Sequence, residues 1–266
     1  MKAVLLTSFC VIVMEVCHNN YGCSVPASGS FAAGKRLSMK ISAVHIRKNY
    51  RKKTVLTDVT FSAESGTFLG ILGENGCGKS TLLSILAGAQ RCDSGQLLFQ
   101  DGKVSGDLLK DSGLRYGIVG YVPQTPPLLE ELTVKDNLRL WYPGGKKVLD
   151  KELESGVLMK LGVGDFLGTQ VSKLSGGMKK RVSIGCAVAS HPKVLILDEP
   201  GAALDLVCKQ VIVDYLKDFC GKGGIAVMAS HEIQEISSCS ETSILKGGVL
   251  VPYTYDGNIE KLVSEL

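Results

Sequence analysis

The sequence contains no stretch of about 20 consecutive apolar residues, the length a helix needs to cross a bilayer, so the chain does not span a membrane as a helical bundle. If it serves a membrane process, another chain supplies the membrane part. It also lacks any Cys-x-x-Cys pair. Its nine cysteines, at positions 10, 17, 23, 77, 92, 186, 208, 220 and 239, are odd in number and scattered, which signals neither a disulfide framework nor a zinc site and suits a reducing compartment. No extended basic face is present either: 30 lysines and arginines are interleaved with 26 acidic residues, so no nucleic acid is expected as the main partner. The one dense basic run, Arg47, Lys48, Arg51, Lys52 and Lys53, reads as a solvated hairpin rather than a polyanion site. What the 266 residues do hold is 45% apolar content, enough for one large domain or two small ones.

The first 38 residues stand apart. Met1, Lys2 and the apolar run from Ala3 to Val16 copy the charged start and apolar centre of a secretory signal, but Glu15 interrupts the run and no small-x-small cleavage site follows closely. Gly34-Lys35-Arg36 can be encoded GGA-AAG-AGG, a purine run like a bacterial ribosome-binding site, two codons ahead of Met39. Residues 1–38 are therefore expected to be a translated leader with the true start at Met39, and a real targeting segment is the alternative.

From Met39 onward, residues 40–46 and 56–61 read as strands, and "TFLGILG", residues 67–73, as a buried strand running into glycines. Directly after it, "GENGCGKST" (Gly73 to Thr81) matches G-x-x-x-x-G-K-[ST] between a strand and a helix, the context in which this pattern cradles phosphates. Gly76 and Gly78 let backbone N–H groups turn inward, Lys79 reaches the β- and γ-phosphates, and Ser80 binds Mg²⁺. Asn75, Cys77 and Thr81 share the loop, and a thiol at a helix start is placed for a lowered pKa, so alkylation of Cys77 is expected to inactivate. A second apolar run, "KVLILDEP", ends in two carboxylates. Asp198 suits Mg²⁺ held through water, and Glu199 suits the orienting of an attacking water.

With these motifs in this order, the sequence resembles the nucleotide-binding subunit of ATP-binding-cassette (ABC) transporters over essentially all of Met39 to Leu266. "YVPQ" puts Gln124 at the family's glutamine loop, which also touches the metal; "LSGG" places Ser175, Gly176 and Gly177 in its signature. "ALD" ends in Asp205 at the D-loop, and "MASHE" puts His231 at the switch histidine. Tyr50 resembles the aromatic that stacks on adenine, with packing on a neighbouring strand as its alternative. One departure stands out: Gly201 follows Pro200 where a threonine or serine is common.

The resemblance implies an α/β fold of the P-loop NTPase class: a RecA-like mixed sheet core, an N-terminal antiparallel β subdomain and an inserted helical subdomain near 125–175, all within an ATPase domain of residues 39–266. It implies ATP and Mg²⁺ as cofactors and catalytic roles for Glu199, His231 and Gln124. Two cassettes, identical or different, would meet head to tail, each signature facing the nucleotide held by the other. A separate transmembrane permease, of an exporter in the family's pattern, would dock from outside the chain, leaving the subunit cytoplasmic and peripheral on the inner face of the membrane. Within the insertion, Thr133 is placed to cap a helix, and Leu153, Val157, Leu158 and Leu161 share one face. Pro126, Pro127, Leu128 and Leu129 either await the permease or fold back into the core. The competing function is a soluble ABC-type ATPase in cofactor assembly or another non-transport role, which would form a stable complex without any polytopic membrane protein.

Overall fold

Buried and exposed residues broadly alternate along Lys40–Tyr50 (β1) and Lys53–Glu64 (β2), as strands covered on one face require, whereas Phe68–Leu72 (β3) is buried throughout. In the computed structural model, which describes residues 38–51, 53–142, 145–202 and 204–266, a loop leads from β3 into the helix Lys79–Leu86 (α1). Ser38–Leu266 make one compact unit. The expectations for residues 1–38 lie outside the described residues, Ser38 excepted.

Ser94–Asp101 (β4), Val104–Asp107 (β5), the short helix Ser112–Ile118 (α2) and Val119–Val122 (β6) follow. Next come three helices, Val134–Trp141 (α3), Gly145–Glu154 (α4) and Val157–Lys160 (α5), and two 3₁₀ turns at Val163–Phe166 and Val171–Lys173. Thr133 caps α3, its hydroxyl accepting from the Asp136 N–H at 3.2 Å. Leu153, Val157, Leu158 and Leu161 do pack into one core, but not from one continuous helix. The chain breaks at Ser155-Gly156, and Glu152 Oε2 accepts from the Val157 N–H at 3.0 Å, supplying the partner the new helix start lacks. Leu128 is buried in that core, while Pro126, Pro127 and Leu129 are half-buried.

Gly176–Ala187 (α6), Val194–Asp198 (β7), Leu206–Gly221 (α7), Ile225–Ala229 (β8), Ile233–Ile236 (α8), Glu241–Lys246 (β9), Val249–Tyr253 (β10) and Ile259–Glu265 (α9) complete the order. The sheet runs β5-β4-β1-β2-β10-β9-β3-β8-β7-β6. Strands β9, β3, β8, β7 and β6 are parallel neighbours; β5, β4, β1 and β2 are antiparallel. One core joins α6, α7 and the inserted helices through Leu138, Leu158, Val182 and Leu216. A second joins α1 to the antiparallel strands through Ile41, Leu56, Leu82 and Leu83. Mixed core, antiparallel region and helical insertion are thus all present. Because β3, β6, β7 and β8 run parallel, the loops that follow them leave from one edge of the sheet, and that edge carries the site.

Candidate nucleotide site

The loop after β3 has the shape its glycines permit. Gly78 sits at φ 117°, a left-handed conformation, and a β-carbon there would stand 2.8 Å from Val55 Cγ1 on β2, so the position admits only glycine. Helix α1 begins at that residue with no side-chain cap, leaving its first N–H groups and positive dipole end for an anion. Lys79 is buried, and its ammonium donates to Gly73 O at 2.7 Å and Glu74 O at 3.0 Å. The lysine therefore spans the loop that it is expected to serve. Ser80 donates to Asp198 Oδ1 at 3.2 Å across from β7.

Asp198 is only 3% exposed, and burial raises its carboxyl above the ordinary range, opposed by the Ser80 hydrogen bond. The Ser80 hydroxyl and the desolvated Asp198 carboxylate are hard oxygen donors of the kind Mg²⁺ takes, so the pair fits the metal, and Gln124, hydrogen-bonded to the adjoining Glu199, would add an amide oxygen. Glu199, one residue on, takes a left-handed φ of 46°, uncommon for a residue with a side chain, and its N–H donates to Ala229 O at 3.0 Å. This turn brings its carboxylate between two other loops. Gln124 Nε2 donates to Glu199 Oε2 at 2.9 Å, and His231 Nδ1 lies 3.3 Å from Oε1. Four loops from one sheet edge thus meet on a single carboxylate pair.

Ser175 and Asp205 belong to a second group. The Ser175 hydroxyl caps α6 by accepting from Met178 N–H at 3.3 Å, and Asp205 caps α7 by accepting from Cys208 N–H at 2.8 Å, which also lowers its carboxyl pKa. The two starts adjoin, since a β-carbon on Gly177 would stand 3.0 Å from Cys208 Sγ. Ser175, Gly176 and Asp205 are exposed. Tyr50 ends β1 and is 44% exposed, with its hydroxyl bonded to Gln90 just beyond α1 and the Lys48 ammonium 5.5 Å from the ring centre. Cys77 is half-buried with its thiol directed at Gly73, where a β-carbon would come within 2.6 Å of Sγ.

A family profile described as ABC transporter matches residues 56–202, a span that holds the phosphate loop, Gln124, the signature and the acidic strand. The chain belongs to the ABC transporter family. It is 31% identical over 225 residues to a lantibiotic transport ATP-binding protein of Streptococcus pyogenes, covering 83% of this chain and 94% of that one. It is 30% identical over 217 residues to a probable multidrug ABC transporter ATP-binding protein of Escherichia coli; that match takes in 80% of this chain but 36% of the other, so the chain spans little more than a third of that relative's length. A solved dimeric cassette in a post-hydrolysis state, bound to ADP and Pi, matches with a TM-score of 0.66 at 25% identity over 79% of this chain and 96% of that one.

Two residues of this ABC chain take part in the site without being singled out by its motifs. Lys180, 4% exposed on α6, donates to Pro123 O at 3.1 Å and Gln124 O at 3.0 Å, and burial pushes its ammonium down to about 8. Glu235, 1% exposed on α8, accepts from Ser230 Oγ at 2.5 Å, while its other oxygen has no hydrogen-bond partner. A lysine beside an ABC signature looks solvent-facing in a one-dimensional pattern. The signal for Glu235 was indirect: the missing side chain at Gly201, into whose space it reaches.

Proposed function

We propose that this chain binds ATP with Mg²⁺ and hydrolyses it in a head-to-tail pair of cassettes, and that the pair drives a separate transmembrane permease from the cytoplasmic face of the membrane, in the direction of export. The observation that carries this reading is a division within one chain. Lys79, Ser80, Asp198, Glu199, Gln124 and His231 gather at one sheet edge, while Ser175 and Gly176 lie exposed at a second anion-seeking helix start. Both halves lie on this one chain, so a second copy of it would serve as the partner. Leu206 and Val207, 67% and 74% exposed beside Asp205, form the kind of apolar surface a second cassette would cover. Among the described residues no helix is long and apolar enough to cross a membrane.

On this reading residues 39–266 are the ATPase domain, with its helical subdomain near 125–175. Lys79 exchanges the carbonyls of Gly73 and Glu74 for β- and γ-phosphate oxygens when the nucleotide enters. The loop glycines, with Asn75, Cys77 and Thr81, present main-chain N–H groups to the same phosphates, and Tyr50 packs on the adenine. Mg²⁺, held by Ser80, by Asp198 and by the Gln124 amide oxygen, would neutralise phosphate charge. Glu199 aligns the attacking water and takes its proton as the water oxygen bonds to the γ-phosphorus and the bond to ADP breaks. Gln124 on one carboxylate oxygen and His231 beside the other hold the plane of Glu199. Ser175, Gly176 and Gly177 complete the partner's site, next to Asp205. Loss of the γ-phosphate removes what the two halves share, and the pair opens.

Glu199→Gln tests this directly. The variant is expected to bind ATP and accumulate as a dimer on size-exclusion chromatography while turnover falls by about 10²-fold or more. A variant that remains monomeric with saturating ATP contradicts the mechanism.

A further inference from the structure

Lys179, Lys180 and Arg181 follow the signature turn after Met178, and each finds a different partner. Lys179 pairs with Glu130 at 2.9 Å, Lys180 donates to Pro123 O and Gln124 O, and Arg181 donates to Leu161 O at 3.1 Å. Of the three, only Lys180 is buried and only Lys180 reaches the glutamine loop. A desolvated ammonium is costly unless its donors are met, so burying one here makes sense where two carbonyls must be held in place. Both carbonyls bracket the residue whose side chain donates to Glu199. Five residues back along the same rigid helix is Ser175, its N-cap.

We propose that Lys180 is a positioning residue that ties the signature turn, which serves the partner's nucleotide, to the glutamine loop, which serves its own. This inference rests on the two-half-site reading above. A shift of the Gln124 main chain is carried through two hydrogen bonds into α6 and so to Ser175, without passing through the inserted helices. Neither neighbour can do the same. Glu130, the partner of Lys179, is 64% exposed, and a pair so open to solvent transmits little. Arg181 grips the insertion at Leu161 and stacks over Phe166 instead.

The test compares full-length wild type, Lys180→Met, Lys180→Arg and Lys79→Ala for ATP turnover, cooperativity in ATP and binding of a fluorescent ATP analogue. Lys180→Met keeps the length and apolar stem but no donor. It is expected to bind the analogue within about twofold of wild type. Its kcat should fall at least about tenfold and its Hill coefficient approach one, with Lys180→Arg restoring much of both. Wild-type kcat and cooperativity in folded Lys180→Met overturn the inference. A parallel loss of binding and turnover that arginine does not repair also overturns it, since that marks a merely structural lysine. If the methionine variant does not fold, Lys180→Gln decides by the same readouts: selective loss of kcat supports the coupling, and unchanged kcat removes it. Normal turnover by Lys79→Ala would overturn the half-site reading and the inference together, whereas its collapse beside an unaffected Lys180→Met overturns the inference alone.

Discussion

Glu235 fills the space that Gly201 leaves by having no side chain: a β-carbon on Gly201 would stand 1.7 Å from Glu235 Oε1. That oxygen is buried and without a hydrogen-bond partner, and its twin is held by Ser230 at 2.5 Å. The departure of this chain from its family at position 201 is thus matched by the carboxylate that packs there. Gly201→Ala is expected to cost about 1–3 kcal/mol, because Glu235 must leave its position to admit the methyl group. Gly201→Ser should cost less, since its hydroxyl can donate to the orphaned oxygen. Chemical denaturation of the two variants checks the order; equal or reversed losses would mean that Glu235 does not depend on this space.

Burial raises the Glu235 carboxyl above its ordinary value, opposed by the Ser230 hydrogen bond, raised further by Glu232 and lowered by Lys209 and His231. The folded chain therefore holds a proton in a window where the unfolded chain has released it. The stability this contributes is full below the unfolded value and declines as pH rises through the folded one. Glu235→Gln removes the titration. Its stability relative to wild type is expected to grow as pH rises above about 4.5, measured by denaturant unfolding at each pH. A difference that stays flat with pH contradicts the assignment.

Cys77 lies within the phosphate loop with its thiol turned toward Gly73. Alkylation there forces bulk into a loop that must close on phosphates. A maleimide or iodoacetamide should therefore inactivate the protein, and ATP should protect it. Cys77→Ala should be active and insensitive to either reagent; retained sensitivity would place the damage at another cysteine.

Thr133→Ala should lower stability by about 1 kcal/mol through loss of the α3 cap. Nucleotide binding should be unchanged, because the cap lies in the helical insertion away from the phosphate loop. A loss of binding in that variant would tie the insertion to the nucleotide more closely than the contacts do.

Much of this architecture was legible because its cues are local. Alternation in β1 and β2, the continuous apolar runs of β3 and β7, and a glycine loop followed by lysine and serine each need only neighbours along the chain. The break at Gly156 was not legible, because the apolar spacing of Leu153, Val157, Leu158 and Leu161 continues across it. Lys180 escaped for a different reason: its partners are carbonyls more than fifty residues away, brought together only by the fold. A clue did exist. Helix α6 is buried on most sides, and three successive cations sweep about 200° of its circumference, so one of them had to face inward.

The central claim is that each chain holds two complementary half-sites, and mixing tests it most directly. Lys79→Ala spoils the phosphate loop and keeps the signature; Ser175→Arg does the reverse. Each alone should be inactive. In an equal mixture half the pairs are mixed and each regains one of its two sites, so about a quarter of wild-type ATP turnover should return. Turnover that stays at the level of the separate variants, or full activity in either one alone, would contradict the account.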